Sequence, residues 1–129
     1  MTLETTRAVA ERLVALCKAH REDVALAELY RADAVSVEAS PIPGTDGAAT
    51  EGLEGIRGKH AWWAESFEVH SAEVEGPYLH GDDRLGVIFE TDATMTATGE
   101  RMAMKELGIY DVDAEGRIAR EAFFSIRLG

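Results

Sequence analysis

Residues 84–127 read RLGVIFETDATMTATGERMAMKELGIYDVDAEGRIAREAFFSIR, and the fold is decided there. The pattern predicts three strands, Arg84–Met95, Arg101–Val112 and Arg117–Arg127. Thr98-Gly99 reads as the first turn and Ala114-Glu115-Gly116 as the second. The strand interiors are rich in Val, Ile, Phe, Met and Thr, residues that fit a pleated, half-buried surface. Glu106 lies near the centre of the second strand, far from either turn. A carboxylate there is either on a solvated face or in a pocket. In a pocket, burial raises its pKa and makes it a candidate acid or base.

Upstream of this stretch the spacing turns helical. Val9, Leu13, Leu16 and Cys17 recur on one face, with Arg7, Glu11, Arg12 and Lys18 between them. That predicts an amphipathic helix ending near His20. Asp23 is a candidate N-cap for a second helix through Val24, Leu26, Ala27 and Tyr30. Ala34–Glu38 reads as a short strand. Ala39–Gly52, with Pro41, Pro43, Gly44 and Gly47, reads as a loop, and loops of that length are usually functional or mobile. Glu54–Phe67 reads as a third helix, with Ile56, His60, Trp63 and Phe67 on one stripe at i, i+4, i+7 and i+11. This phase buries Trp63 and leaves Trp62 more exposed. Val69–Leu79 reads as a further strand. Helices first, then a run of antiparallel strands, predict an α+β domain with helices on one face of a curved sheet.

The 129 residues suit one domain, 1–129, with one core. Acidic residues number 24 against 13 basic ones, a formal net charge of −11. Such a chain repels nucleic acid and anionic membrane surfaces, so neither is an expected partner. Cys17 is the only cysteine, which rules out an internal disulfide and fits a cytoplasmic location. The amino terminus reads as the start of an amphipathic helix rather than a signal peptide. No apolar run approaches the roughly 18 residues of a membrane span. His60, His70 and His80 lack metal-ligand spacing, so no metal is expected. Gly44-Thr45-Asp46-Gly47 lacks the lysine and following helix of a phosphate-binding loop.

Three further segments carry a resemblance: Leu29-Tyr30-Arg31-Ala32-Asp33-Ala34-Val35, then Glu51-Gly52-Leu53-Glu54-Gly55-Ile56-Arg57, then Tyr110-Asp111-Val112 with Gly116-Arg117-Ile118. With the element order, they make the chain resemble the nuclear transport factor 2-like superfamily, and in kind its SnoaL-like polyketide cyclases and ketosteroid isomerases. The resemblance implies a cystatin-like α+β cone. Its amino-terminal helices would pack on a strongly curved, mostly antiparallel sheet that encloses an apolar pocket. It also settles a parity that periodicity leaves open, since both faces of Arg101–Val112 are mixed. Met102, Met104, Glu106, Gly108 and Tyr110 would face the pocket, with Leu85, Val87, Phe89, Thr91, Ala93 and Met95 of the preceding strand. Glu90 and Asp92 would point outward, and Glu121 and Phe123 inward. The fold hosts isomerases, cyclases, hydrolases and binding modules, so it does not settle function.

The resemblance implies a cofactor-free isomerase or cyclase acting on a small apolar carbonyl compound. By ungapped counting Glu38 matches the isomerases' general-base aspartate; the alternative is a strand-end glutamate in water. Glu106 stands two residues before the position of their second acid, which here is Gly108. Protonated, it would donate a hydrogen bond to an enolate; the alternative is a structural carboxyl paired with His60 or a tyrosine. His60 is a third catalytic candidate, against the reading of a satisfied core histidine. Trp63, Phe67, Phe89, Met104, Tyr110, Glu121 and Phe123 are the candidate substrate-binding residues, and Tyr30 is expected to brace the helices. One departure bears on mechanism. The isomerases' oxyanion tyrosine aligns with about Leu13, so with Gly108 neither usual oxyanion donor is in place. The rival class is a non-enzymatic binding or assembly module. Leu107, Ile109 and Ile88 would form an outward apolar patch, which predicts a homodimer through the convex sheet face.

Overall fold

Thr6, Val9, Ala10, Leu13, Val14 and Cys17 are buried along α1 (Leu3–Lys18) in a computed structural model that describes residues 3–40 and 47–126. They form a helical stripe at i, i+3, i+4 and i+7, and it packs on β3 (Phe67–His80) and β4 (Arg84–Met95). Pro41, Pro43 and Gly44 of the expected loop, and Arg127, lie outside the described residues.

α2 (Glu22–Leu29) buries Ala25, Leu26 and Leu29, while Ala27 is exposed. Asp23 is not its N-cap. Arg21 holds that position, and Asp23 sits in the first turn, paired with Arg21 at 3.1 Å. Tyr30 does not extend the helix. It starts β1 (Tyr30–Val37), because its backbone pairs with β6 (Ile118–Ser125) at Ile118. The first strand therefore begins before Ala34. Within the expected loop, β2 (Ala49–Glu51) forms a short edge strand antiparallel to β1, with Val35 opposite Glu51. α3 (Leu53–Ser66) follows and packs on β1, β2 and β3.

β4 and β5 (Arg101–Val112) have the expected bounds. Gly99 and Gly116 occupy their turns at φ 75° and 84°, where a side chain would be strained. The six strands run in the order β2-β1-β6-β5-β4-β3. β1 and β6 are parallel and every other pair is antiparallel. Register shifts in β3, between Val69 and Ser71 and between Glu75 and Tyr78, help bend the unclosed sheet. The result is the three-helix, curved-sheet α+β architecture expected from the resemblance.

Side-chain parity follows the expected pattern. Leu85, Val87, Ala93 and Tyr110 are buried, whereas Glu90 is exposed and pairs with Lys105 at 3.2 Å. Leu13, Leu26, Ile56, Leu85, Val87 and Ile118 anchor the core at full burial.

Candidate functional site

Beside that core, between α3 and the sheet, lies a cavity of about 540 Å³, a size typical of small-molecule sites. α3 supplies Lys59, His60, Trp62 and Trp63, and Phe67 follows at its C-terminal end. Phe89 and Thr91 come from β4, Met104 and Glu106 from β5, Phe123 from β6, and Glu38 from the segment just after β1. The register explains the grouping. Phe89 sits opposite Glu106, and Phe123 opposite Gly108, so these side chains share one face. The Trp63 and Phe67 rings lie 4.0 Å apart between centroids with their planes tilted by 33°, and Trp62 meets Phe67 edge-on at 6.0 Å.

Eight of the sequence candidates therefore meet at this cavity: Glu38, His60, Glu106, Trp63, Phe67, Phe89, Met104 and Phe123. Tyr110 and Glu121 are not in its wall. Both are only 2 % exposed: Tyr110 meets Phe123 with ring centroids 6.2 Å apart, and Glu121 is held by Tyr30 and Ser36. Trp62 is exposed, as its helix phase requires, and still contributes to the rim, whereas Trp63 is half-buried rather than buried because it faces the cavity.

Sequence reasoning missed Lys59. Its side chain is 11 % exposed and its ammonium lies 2.7 Å from a carboxylate oxygen of Glu38, itself 29 % exposed. Lys59 also hydrogen-bonds the buried Ser36 hydroxyl. An ammonium can only donate, so Ser36 Oγ accepts from Lys59 and its own hydrogen goes to Glu121 Oε2 at 3.2 Å. The other Glu121 oxygen accepts from the Tyr30 hydroxyl. Tyr30 thus fastens a carboxyl in the sheet. The chain Glu38–Lys59–Ser36–Glu121–Tyr30 runs from the cavity into the core. The β1–β6 register builds it by setting Ser36 beside Glu121. A signal for Lys59 was present: it stands at i+3 from Ile56 and i−4 from Trp63, on the stripe already assigned to the inner face.

The electrostatics separate the carboxyls. Burial raises the Glu106 pKa, the Glu38 charge adds to this, and Lys59 partly opposes it. Among the described residues no hydrogen bond reaches the Glu106 carboxyl, so it is not the partner of His60 or of a tyrosine. Burial also raises Glu121, while the hydrogen bond from Tyr30, the Lys59 charge and the hydrogen bond from Ser36 pull it back. Burial lowers the His60 pKa and Lys59 lowers it further, against a smaller opposing effect of Glu38, which favours the neutral imidazole. A side chain at Gly108 would meet the rings of Tyr110, Phe123 and Phe89 at 3.0, 3.1 and 3.2 Å. Aromatic edges thus crowd the position that the resemblance equates with the isomerases' second acid. Among the described residues no three His, Cys, Asp or Glu side chains converge on a metal-sized site. No helix among them is long and apolar enough to cross a membrane.

Residues 4–125 match the family model of the SnoaL-like domain. Among solved structures, one from Mesorhizobium loti, provisionally named a SnoaL-like polyketide cyclase, is 37 % identical, with TM-score 0.82 over 92 % of this chain and 97 % of that one. A ketosteroid isomerase-like protein from Erwinia carotovora atroseptica is 18 % identical, with TM-score 0.66 over 98 % of this chain and 97 % of that one. Rv0760c of Mycobacterium tuberculosis, in complex with estradiol-17beta-hemisuccinate, is 15 % identical, with TM-score 0.67 over 96 % and 94 %. No curated protein matches the sequence.

Proposed function

The chain belongs to the SnoaL-like domain family, within the nuclear transport factor 2-like superfamily, and from that premise we propose a cofactor-free isomerase or cyclase that moves a proton on a small apolar carbonyl compound. One observation carries the reading: Glu38 and Glu106, two carboxyls in unlike surroundings, face one aromatic-walled cavity. Carboxyls whose environments differ are suited to opposite roles. Glu38, paired with Lys59 at the cavity, is the base that takes a proton from the carbon next to the carbonyl. Glu106, whose pKa burial raises, is the carboxyl suited to donate a hydrogen bond to the oxygen on which charge develops. His60 is a neutral polar contact, and Trp63, Phe67, Phe89, Met104 and Phe123 hold the apolar body. Tyr110 and Glu121 support this wall from behind. The steroid ester bound by the mycobacterial neighbour is consistent with an apolar ligand of this kind. The lone, buried Cys17 supports a cytoplasmic setting.

The test is hydrogen exchange. Cyclic ketones and enolisable aromatic carbonyl compounds are incubated with the protein in heavy water, and loss of the α-proton signal is followed by NMR. The reading expects catalysed exchange that falls at least about a hundredfold in Glu38→Gln, the scale of a lost general base. Glu106→Gln should fall less, because an amide still donates a hydrogen bond. A compound that binds tightly yet exchanges no faster than in buffer would put the protein among the fold's binding modules.

A further inference from the structure

We propose that Lys59 makes the cavity an anion-receiving site, and that its ligand is a flat, apolar compound carrying an enol or phenol oxygen. A lysine in an aromatic cavity is costly to keep charged unless it is paired. Here it has two partners, the Glu38 carboxylate and the Ser36 hydroxyl. From within the core, Ser36 connects it to Glu121, and neither these two nor Tyr30 reaches the cavity wall. From the mouth, Glu38 meets it directly. A lysine present only to neutralise Glu38 would need no second, sealed carboxylate beneath it. The sealed one, through Ser36, holds the ammonium in place when its outer partner changes. An ammonium carries three N–H groups, and among the described residues Lys59 has two oxygen partners. The Phe123 ring lies 5.9 Å from its nitrogen, and the Trp63 and Phe67 rings line the same cavity.

The outer partner is the one that can be exchanged. When Glu38 takes a proton from carbon, the C–H bond breaks and an O–H bond forms on Glu38. The electron pair moves onto the carbonyl oxygen. Glu38 becomes neutral as an oxyanion appears in the same cavity, so Lys59 trades one anionic partner for the other. The net charge of the cavity does not change, and no new charge is desolvated. This step rests on the isomerase or cyclase reading above. The anion site itself does not, because a phenol that gives its O–H proton to Glu38 produces the same pair.

Binding of 4-nitrophenol tests it, since the anion and the neutral form absorb at different wavelengths. In buffer that keeps the free probe mostly neutral, the wild-type protein should bind it and raise the anion band. Lys59→Gln should lose that band and bind at least about tenfold more weakly, the loss of one charge-assisted contact. Lys59→Arg should keep most of it, and Ser36→Ala should fall between. Glu38→Gln should bind the preformed anion, supplied at alkaline pH, at least as tightly as wild type, because its competitor is gone. Binding of 4-nitroanisole, which cannot ionise, should survive in every variant and report an intact cavity. Phenolate binding unchanged in Lys59→Gln overturns the proposal, even if Glu38-dependent exchange is found. Lys59-dependent phenolate binding with no exchange of any carbonyl compound supports the anion site and removes the isomerase reading alone.

Discussion

Glu106 carries its titration into the stability of the protein. A carboxyl raised by burial binds more protons in the folded chain than in the unfolded one. Stability is then undiminished below the unfolded value, about 4.3 for glutamate, and falls as pH rises through the folded pKa. Glu106→Gln removes that term. Thermal melts of variant and wild type should differ by a constant in acid, then diverge as pH rises, with the variant gaining. Melting curves that stay parallel from acid to alkaline pH would contradict the burial argument. At this scale the sequence was informative about face and silent about depth. Strand parity put Glu106 and Glu121 on one side, yet one reaches the cavity and the other is buried away from it against Tyr30 and Ser36. Depth depends on the sizes of neighbouring rings, and alternation does not encode them.

The elements were legible where the chain punctuates itself. Gly99 and Gly116 fixed both hairpins, and the Ile56–Phe67 stripe fixed the phase of α3. The less legible boundary was at Tyr30, where an apolar residue fits the end of a helix as well as the start of a strand. Only its partner on β6 decides. β2 was hidden for the same reason, since three residues show no period. Lys59 was passed over because a charged residue on an inner stripe is read as a break in the stripe until its counter-charge is seen. Packing within β5 gives a sharp test. Gly108→Ala puts a methyl 3.0–3.2 Å from three aromatic rings, which must move. Overpacking of this kind costs about 1–3 kcal/mol. Urea denaturation should show a lower midpoint with unchanged slope, and a midpoint equal to wild type would mean the rings yield freely.

For the molecule as a whole, the convex face is the outstanding feature. Phe124 and Tyr78 are 54 % and 51 % exposed there, beside half-buried Leu107 and Ile109. Patches of this kind mark interfaces, and Arg84 with Asp111 and Arg120 give this one a charged rim. We propose a two-fold dimer through this face. Light scattering at micromolar concentration should give twice the 14.0 kDa of one chain, and Phe124→Asp should return the single-chain mass. A wild-type protein that scatters as one chain at that concentration removes the dimer.

The parallel pairing of β1 with β6 joins an early strand to a late one, and Tyr30 and Ser36 meet Glu121 across that seam. On a ribosome, β1 therefore emerges long before the strand it needs. Until residues 118–125 leave the exit tunnel, Ser36 and Lys59 have no buried carboxylate to meet, and the cavity lacks the Phe123 wall. The nascent chain is then a helical layer and a partial sheet with apolar surface open to water, a state that invites chaperone binding. Competence to bind a ligand should switch on abruptly, with the release of a single short strand.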